Sequence, residues 1–485
     1  MKKYLLSAMT VLAISSVQAQ EVSDAMRYAQ DNLTGTARFR AMSGAFGALG
    51  GDFSSLSVNP AGGAVFLTSQ IAVTVNNQSI KNKSNYFGTS TSENENSFDL
   101  NQLGAVWVFN NNEDSVWNKF TVGANYESTR NFDNQIYSQG NNPVTSISNY
   151  FLSYANGNNF GDYSQLQTDL GYQGYLINEG TGGSNIYTSN TPAGGNYYQE
   201  NTISTSGYNS KLSFNIATQL KDRFYFGLNL NSHFTDYTQL TSFYEDYLDT
   251  PGSSNATGIQ ASRFNNELYS YGNGFSFQLG AIAKVTNSFR AGVAYESPTW
   301  YRFTEDVRQT LAVDCADCAT NPGVNDSGIT TYPDYRLKTA GKFTGSLAYV
   351  FGKIGLLSVD YAIKDYSNTR FRPNDSFFSS RNNQMESLLD VTSEVRIGAE
   401  TRYKNWSFRG GYRFEQSPYK DGKTIGDLNS VSGGFGYNFG PVKADIAYAY
   451  AKRDSQQQFF SQGLIDRANI NSVSHTVGLT LLFEM

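Results

Sequence analysis

Charged side chains with the spacing to act together crowd into one part of the sequence. Glu394, Arg396, Glu400 and Arg402 are separated by even numbers of residues, as are Arg409 and Arg413 just beyond them. Even spacing places side chains on one face of an extended strand, so two neighbouring strands would present opposite signs across their ladder. Asp360, Lys364, Glu415, Lys443 and Asp445 continue the same phase in flanking segments. Such a face can pair off into a rigid wall or act on a polar solute passing it, and residue types alone leave both readings open. Catalysis would need a nucleophile beside a base. The histidines are His233 and His475, His475 falls among apolar positions, and no enzyme is expected. Hemin binding could draw on His233 or a tyrosine as axial ligand. Cys315 and Cys318 are the two cysteines of the chain and suit a local disulfide; two thiols are an incomplete metal site, so neither a metal nor a cofactor is expected.

The elements that would carry these residues are strands. The sequence has 485 residues, with 33 Phe, 33 Tyr and 45 Gly against 10 Pro, and large aromatics alternate with polar residues. In the segment from Arg223 to Asn231, Phe224, Phe226, Leu228 and Leu230 take one phase while Asn229 and Asn231 take the other. The segments around Phe275 to Ala281 and Trp406 to Phe414 behave alike. Fourteen such segments are expected, near 69–81, 98–110, 117–128, 204–219, 222–236, 270–284, 287–302, 335–351, 353–366, 391–403, 405–416, 427–439, 441–452 and 471–484. Their connections alternate between short and long, which an outer-membrane barrel requires because one rim carries tight turns and the other long outer loops. Arg or Lys facing lipid at mid-bilayer costs about 2–4 kcal/mol, so the apolar phase points outward and the charged phase lines the lumen. An even strand number places both termini in the periplasm. Lys2 and Lys3 before an apolar run, with small residues ahead of Gln20, read as a signal peptide over 1–19, so the chain is expected to be exported and handled by the barrel-assembly machinery. The net charge of −6 argues against a nucleic-acid partner.

Residues 20–68 precede the first strand and differ from it. They are rich in glycine and alanine, carry Phe39, Phe46, Phe53 and Phe66, and end in Asn59-Pro60-Ala61, where proline fixes φ and asparagine can cap a turn. Gly123, Gly227, Gly280, Gly292, Gly398, Gly411, Gly434 and Gly478 fall in the inward phase of the strands, and glycine inside a strand is favoured where another backbone approaches closely. The expected organisation is a hatch of residues 20–68 inside a barrel of residues 69–485.

With its export signal, glycine-rich hatch ending in Asn59-Pro60-Ala61 and fourteen strands with long outer loops, the chain resembles FadL-type outer-membrane transporters. Tyr295 to Tyr301, Tyr335 to Gly352 and Leu356 to Asn368 resemble a Bacteroidetes-type branch sometimes labelled hemin receptors. The resemblance implies uptake of long-chain fatty acids or similar hydrophobic compounds by a monomer. Outer loops would catch the ligand, a pocket beside the hatch would receive it, and it would leave sideways into outer-membrane lipid. Tyr150, Phe151 and Tyr154, at helical spacing with Ile147, are candidate capture residues; Phe46, Phe53 and Phe66 are candidate pocket residues; Arg38, Arg40, Arg409 or Arg413 could meet a carboxylate. A barrel that serves as partner or shuttle of a secretion system is the alternative that fold alone leaves standing.

Overall fold

A computed structural model describes residues 21–112, 115–159, 166–250, 258–316 and 323–485. The segment read as a signal peptide and Cys318 lie outside these residues. The described residues open with two helices, α1 (Val22–Ala29) and α2 (Ala37–Ala41), and two 3-10 turns, Ser54–Ser57 and Pro60–Val65. The wall opens with β1 (Gln70–Tyr86), β2 (Thr89–Asn110), β3 (Trp117–Asn131) and β4 (Asn134–Asn142). A long excursion follows, with α3 (Ser148–Ala155), α4 (Leu166–Gln173) and the small hairpin β5 (Ile177–Glu179) and β6 (Tyr187–Ser189). The wall resumes with β7 (Tyr197–Leu220), β8 (Phe224–Asp246), β9 (Ile259–Lys284), β10 (Phe289–Glu296), β11 (Trp300–Cys315), β12 (Gly323–Lys338), β13 (Lys342–Val350), β14 (Gly355–Asp365) and β15 (Arg370–Arg372). After α5 (Ser376–Leu388) come β16 (Val391–Tyr403), β17 (Trp406–Glu415), β18 (Ile425–Asn438), β19 (Val442–Gln458) and β20 (Arg467–Glu484).

Eighteen of these segments form one sheet. Four couples, β3 with β4, β10 with β11, β12 with β13 and β14 with β15, are successive pieces of one stave, which leaves fourteen staves. Every pairing is antiparallel, and β20 closes on β1 from Gln70↔Glu484 to Asn85↔Asn469. The barrel is turned inside out relative to a water-soluble one. Phe224, Phe226, Leu230, Phe275, Leu279, Trp406, Phe408 and Tyr412 are exposed on the outer surface, while Asn229, Asn231, Gln278 and Arg413 are buried within. Among the described residues no helix is long and apolar enough to cross a membrane.

The strands run well past the segments expected from alternation, because the long-loop rim is itself built of sheet. The stretch around Phe87 and Gly88, expected to lie in a long loop, is a tight hairpin in which both residues have positive φ (45° and 86°) and β1 pairs with β2 up to Tyr86↔Thr89. The stave expected to run unbroken over 287–302 changes phase at Ser297-Pro298-Thr299. Val293 faces out below the break and Trp300 above it, and Tyr301 is thereby turned inward. Proline cannot donate to a ladder, and the extra residue it accommodates flips every side chain beyond it.

Residues 21–68 occupy the bore. A Cβ on Gly227 would collide with the Pro60 carbonyl, one on Gly280 with Asn59 Oδ1, and one on Gly292 with the Gly47 carbonyl. Gly398, Gly411 and Gly434 press in the same way on Met42, Ser43 and Ala41, whereas Gly123 faces looser surroundings and Gly478 lies closest to Asn76 of the neighbouring strand rather than to the hatch. The close fit has consequences that can be measured. Gly280→Val drives a side chain into Asn59 and is expected to cost about 1–3 kcal/mol and to raise ion leakage in planar bilayers. Gly345→Val, which meets open space, should behave as wild type. Phe226→Arg is expected to lower the yield of folded barrel, read by heat-dependent electrophoretic mobility, by the equivalent of about 2–4 kcal/mol.

Candidate functional site

The hatch is held by its backbone. Asn59 Nδ2 donates to the Gly47 carbonyl (2.7 Å) and to the wall carbonyls of Ala281 (3.1 Å) and Val293 (3.3 Å), while its Oδ1 accepts from the Ala61 amide (3.1 Å). Pro60 starts the 3-10 turn that this cap opens. Asn59-Pro60-Ala61 therefore locks one hatch turn against β9 and β10. On another side the Asp360 carboxylate accepts from the amides of Phe46 (3.0 Å) and Gly47 (3.0 Å). Phe46 packs on Phe39 with ring centroids 5.5 Å apart, and Phe53 on Phe66 at 5.2 Å. Phe46, Phe53 and Phe66 are thus buried between hatch and wall.

The charged wall residues gather into two clusters. Glu400 accepts from Arg402 (2.6 Å), Arg409 (2.7 Å) and, from the hatch, Arg38 (2.9 Å); Arg409 also reaches Asp445 (2.5 Å). Glu394 takes Arg396 in a two-point contact at 2.7 Å and is shared with Arg413, which also binds Glu415 at 2.7 Å. The register sets Glu400 squarely opposite Arg409, but Glu394 opposite Glu415 and Arg396 opposite Arg413, so in the second cluster the arginines reach their carboxylates along the strand or diagonally. These arginines are consumed by carboxylates of the protein. Burial works against the Arg38 charge, but Glu400 and Asp52 outweigh it and its pKa rises. Arg40 has no ion pair among the described residues and bonds Asn101 Oδ1 at 3.4 Å; burial pulls its pKa down to about 10.

The third stave departs from its neighbour. Ladder pairing between β2 and β3 runs from Asn110↔Lys119 to Gln102↔Glu127 and stops. Beyond that point the stave stays with β7, through a register shift at Ser128/Arg130 and on through β4. β4 swings behind β1, where Asn82 Nδ2 donates to the Gln135 carbonyl (2.7 Å) and the Ser84 and Ser138 hydroxyls meet at 2.7 Å. Residues 89–100 of β2 pair with β1 alone, and Asn101 is a bulge between Leu100 and Gln102. Across this seam Asn131 Nδ2 reaches Asp99 Oδ2 (3.4 Å), and Asn101 Nδ2 reaches the Ser128 carbonyl (3.3 Å).

Inside the departing stave lies an aromatic cluster that residue-by-residue reading did not single out. Tyr28 of α1 packs on Phe303 (4.3 Å between centroids) and Phe132 (6.2 Å), and Phe132 meets Tyr237 edge-on at 5.0 Å. Tyr301, Tyr335, Phe371 and Phe378 extend the cluster, and Ala25, Met26 and Ala29 fill its centre. The Arg27 guanidinium sits 4.0 Å from the Tyr237 ring centroid, and Arg130 Nη1 donates to the Arg27 carbonyl at 2.8 Å. The signal available was aromatic residues in the inward phase, Tyr237, Phe303 and Tyr335 among them; the phase flip at Pro298 obscured it for Tyr301.

Tyr150, Phe151 and Tyr154 sit on α3, as their spacing predicts, but face inward. With Phe264, Phe460, Phe243 and Leu311 they form a buried cap at the long-loop end. The buried Glu245 carboxylate fastens the cap, accepting from the Ile147 amide (3.1 Å), Gln199 Nε2 (2.6 Å) and the Ser146 hydroxyl. His233 is likewise engaged, with Nε2 at 2.9 Å from Ser276 Oγ and Nδ1 at 3.4 Å from the Tyr301 hydroxyl. Cys315 ends β11; its expected bond to Cys318 lies outside the described residues. Among the described residues no three His, Cys, Asp or Glu side chains gather as a metal site would need.

Comparison with solved structures finds the same architecture at low identity. The toluene transporter TodX of P. putida superposes with a TM-score of 0.54 at 13% identity, over 94% of this chain and 99% of that one. A FadL homologue of Pseudomonas aeruginosa gives 0.53 at 12% over 94% and 99%, and the monoaromatic hydrocarbon channel CymD 0.50 at 14% over 93% and 97%. No curated protein matches by sequence. A family model described as "Outer membrane protein transport protein (OMPP1/FadL/TodX)" matches residues 181–476, more than half of the chain. An inverted fourteen-stave barrel, a filled bore and this match lead to one conclusion: the chain belongs to the OMPP1/FadL/TodX family of outer-membrane transport proteins.

Proposed function

We propose that this protein takes up long-chain fatty acids or similar hydrophobic compounds and releases them sideways through the wall between its second and third staves. The observation that carries the reading is the end of the β2–β3 ladder at Gln102↔Glu127, directly beside the aromatic cluster around Tyr28 and Phe132. An apolar ligand gains about 0.8 kcal/mol for each CH₂ it moves into hydrocarbon, and an aqueous exit would forfeit that gain. The plugged bore supports the same route, since the hatch fills the axis and residues 89–100 leave one edge of β2 without a partner strand.

The seat of the ligand is the space that α1 holds. Ala25, Met26, Tyr28 and Ala29 are buried among inward-facing aromatics of five or more staves, and a ligand of similar apolar character would replace them there. At the edge of that space lie Arg27, whose Nη2 is held by Asp24 (2.7 Å) while its Nη1 makes no hydrogen bond, and Arg130, which has no ion pair among the described residues; together they suit a ligand with a carboxylate end. The cap of α3 and α4 closes the mouth above it, so capture begins with loosening of the cap.

Two measurements test this. In Asp99→Cys/Asn131→Cys the new thiols stand where side chains already touch across the seam. Oxidation is expected to slow uptake of labelled oleate into proteoliposomes at least tenfold, with recovery on reduction; an undiminished rate after verified cross-linking would sink the lateral route. Arg27→Gln/Arg130→Gln is expected to weaken oleate binding while leaving binding of toluene unchanged. Equal losses for both ligands would show that the arginines do not read a carboxylate.

A further inference from the structure

The register of the seventh, eighth and ninth staves assembles a cationic grid on the outer surface. Trp300, Lys338 and Arg370 stand in one row across β11, β12 and β15, and Arg302, Arg336 and Arg372 in the next. Their facing is fixed by the residues between them: Tyr301, Leu337 and Phe371 are buried in the bore, so both flanking residues on each strand point out. Like charges directly opposite on a ladder destabilise it, yet Arg336 is opposite Arg302 on one side and Arg372 on the other. Two carboxylates answer five cations. Asp334 binds Arg302 (2.7 Å) and Glu386 binds Arg370 (3.0 Å), while Arg336, Lys338 and Arg372 make no ion pair among the described residues. The result is a local excess of three positive charges in a chain whose net charge is −6.

The grid lies at a particular height. Trp300 stacks with Phe275 and Phe277 at 6.5 and 6.4 Å, and Phe277, Tyr295 and Phe343 continue the line of rings. Trp300 lies eleven residues along its stave from Phe289, where the short turn ends. At about 3.3 Å per residue and about 40° of tilt this is roughly 28 Å of height, close to the ~25 Å apolar band of such barrels. The rings are therefore the upper aromatic girdle, and Arg302, Arg336 and Arg372 stand about one pleat above it. Below the girdle Val293, Leu347 and Val359 offer a continuous apolar face.

We propose that this grid is a docking site for an outer-leaflet lipid with a phosphate-bearing headgroup. The guanidinium forks of Arg336 and Arg372 and the Lys338 ammonium bind the phosphate oxygens, Trp300 packs at the headgroup boundary, and the acyl chains run down the apolar face beneath. A soluble acidic protein would have to bind at the level of the headgroups, with no apolar contact to gain, whereas a lipid uses both halves of the surface.

Native mass spectrometry of the full chain, titrated with diphosphoryl lipid A as probe and phosphatidylcholine as neutral comparison, tests the site. Arg336→Gln/Lys338→Gln/Arg372→Gln is expected to weaken lipid A binding by roughly fivefold per charge removed, on the order of a hundredfold in all. Lys81→Gln/Lys83→Gln/Lys452→Gln removes three exposed cations from the opposite wall and is expected to leave binding unchanged, as is inorganic phosphate at concentrations matching the lipid. Arg336→Gln alone, with an expected loss of about fivefold, serves if the triple variant lacks heat-modifiable mobility. Equal affinity in wild type and grid variants overturns the proposal. So does an equal loss in the opposite-wall variant, displacement by matched inorganic phosphate, or capture of an acidic protein without any preference for lipid A.

Discussion

Backbone hydrogen bonding in a solvent that offers no partners is the constraint from which the rest of this structure follows. In hydrocarbon each amide and carbonyl must be satisfied within the protein, so the sheet has to close, and β20 returns to β1 along sixteen residue pairs. Closure creates an interior, and fourteen staves enclose more space than wall side chains fill. The hatch resolves that surplus. It meets the wall through backbone and small residues, which is why glycines recur where Asn59, Pro60, Gly47 and Met42 press outward.

The same constraint makes the departure of the third stave informative. The strand abandons one neighbour after Glu127 but keeps the other through β7, and the polar groups at the seam are partly met by Asn101, Asn131 and the contacts of β4 with β1. A ladder interrupted beside an aromatic cluster carries a cost in unpaired backbone. Charge follows a parallel logic. Inside, Glu394 and Glu400 neutralise the arginines around them, and Glu400 ties Arg38 of the hatch to the wall; outside, Arg336, Lys338 and Arg372 stand without an ion pair among the described residues.

Much of this was legible in the order of residues. Alternation along Phe224 to Asn231 states which side chains meet lipid, because a strand repeats every two residues whatever it packs against. Inward glycines announced an internal occupant, and Asn59-Pro60 announced a capped turn. The ends of the strands were less readable: beyond the bilayer both faces of the sheet tolerate polar residues, so Ser90 to Asn96 looks like loop and is strand. The candidate site was read in part. Arg409 and Arg413 have the chemistry to bind a carboxylate ligand, yet Glu400, Asp445, Glu394 and Glu415 already hold them.

What the sequence by itself determined is local: the two-residue period, the facing it implies, the turn at Asn59-Pro60 and the glycines that let another backbone approach. The tertiary structure decided what depends on a partner distant in the chain. The one-residue phase change at Pro298 takes its meaning from β9 and β13 on either side, the seat of α1 from aromatics contributed by staves hundreds of residues away, and the grid of cations from the register of β11, β12 and β15. Periodicity belongs to a segment alone, whereas register and occupancy belong to the pair that meets.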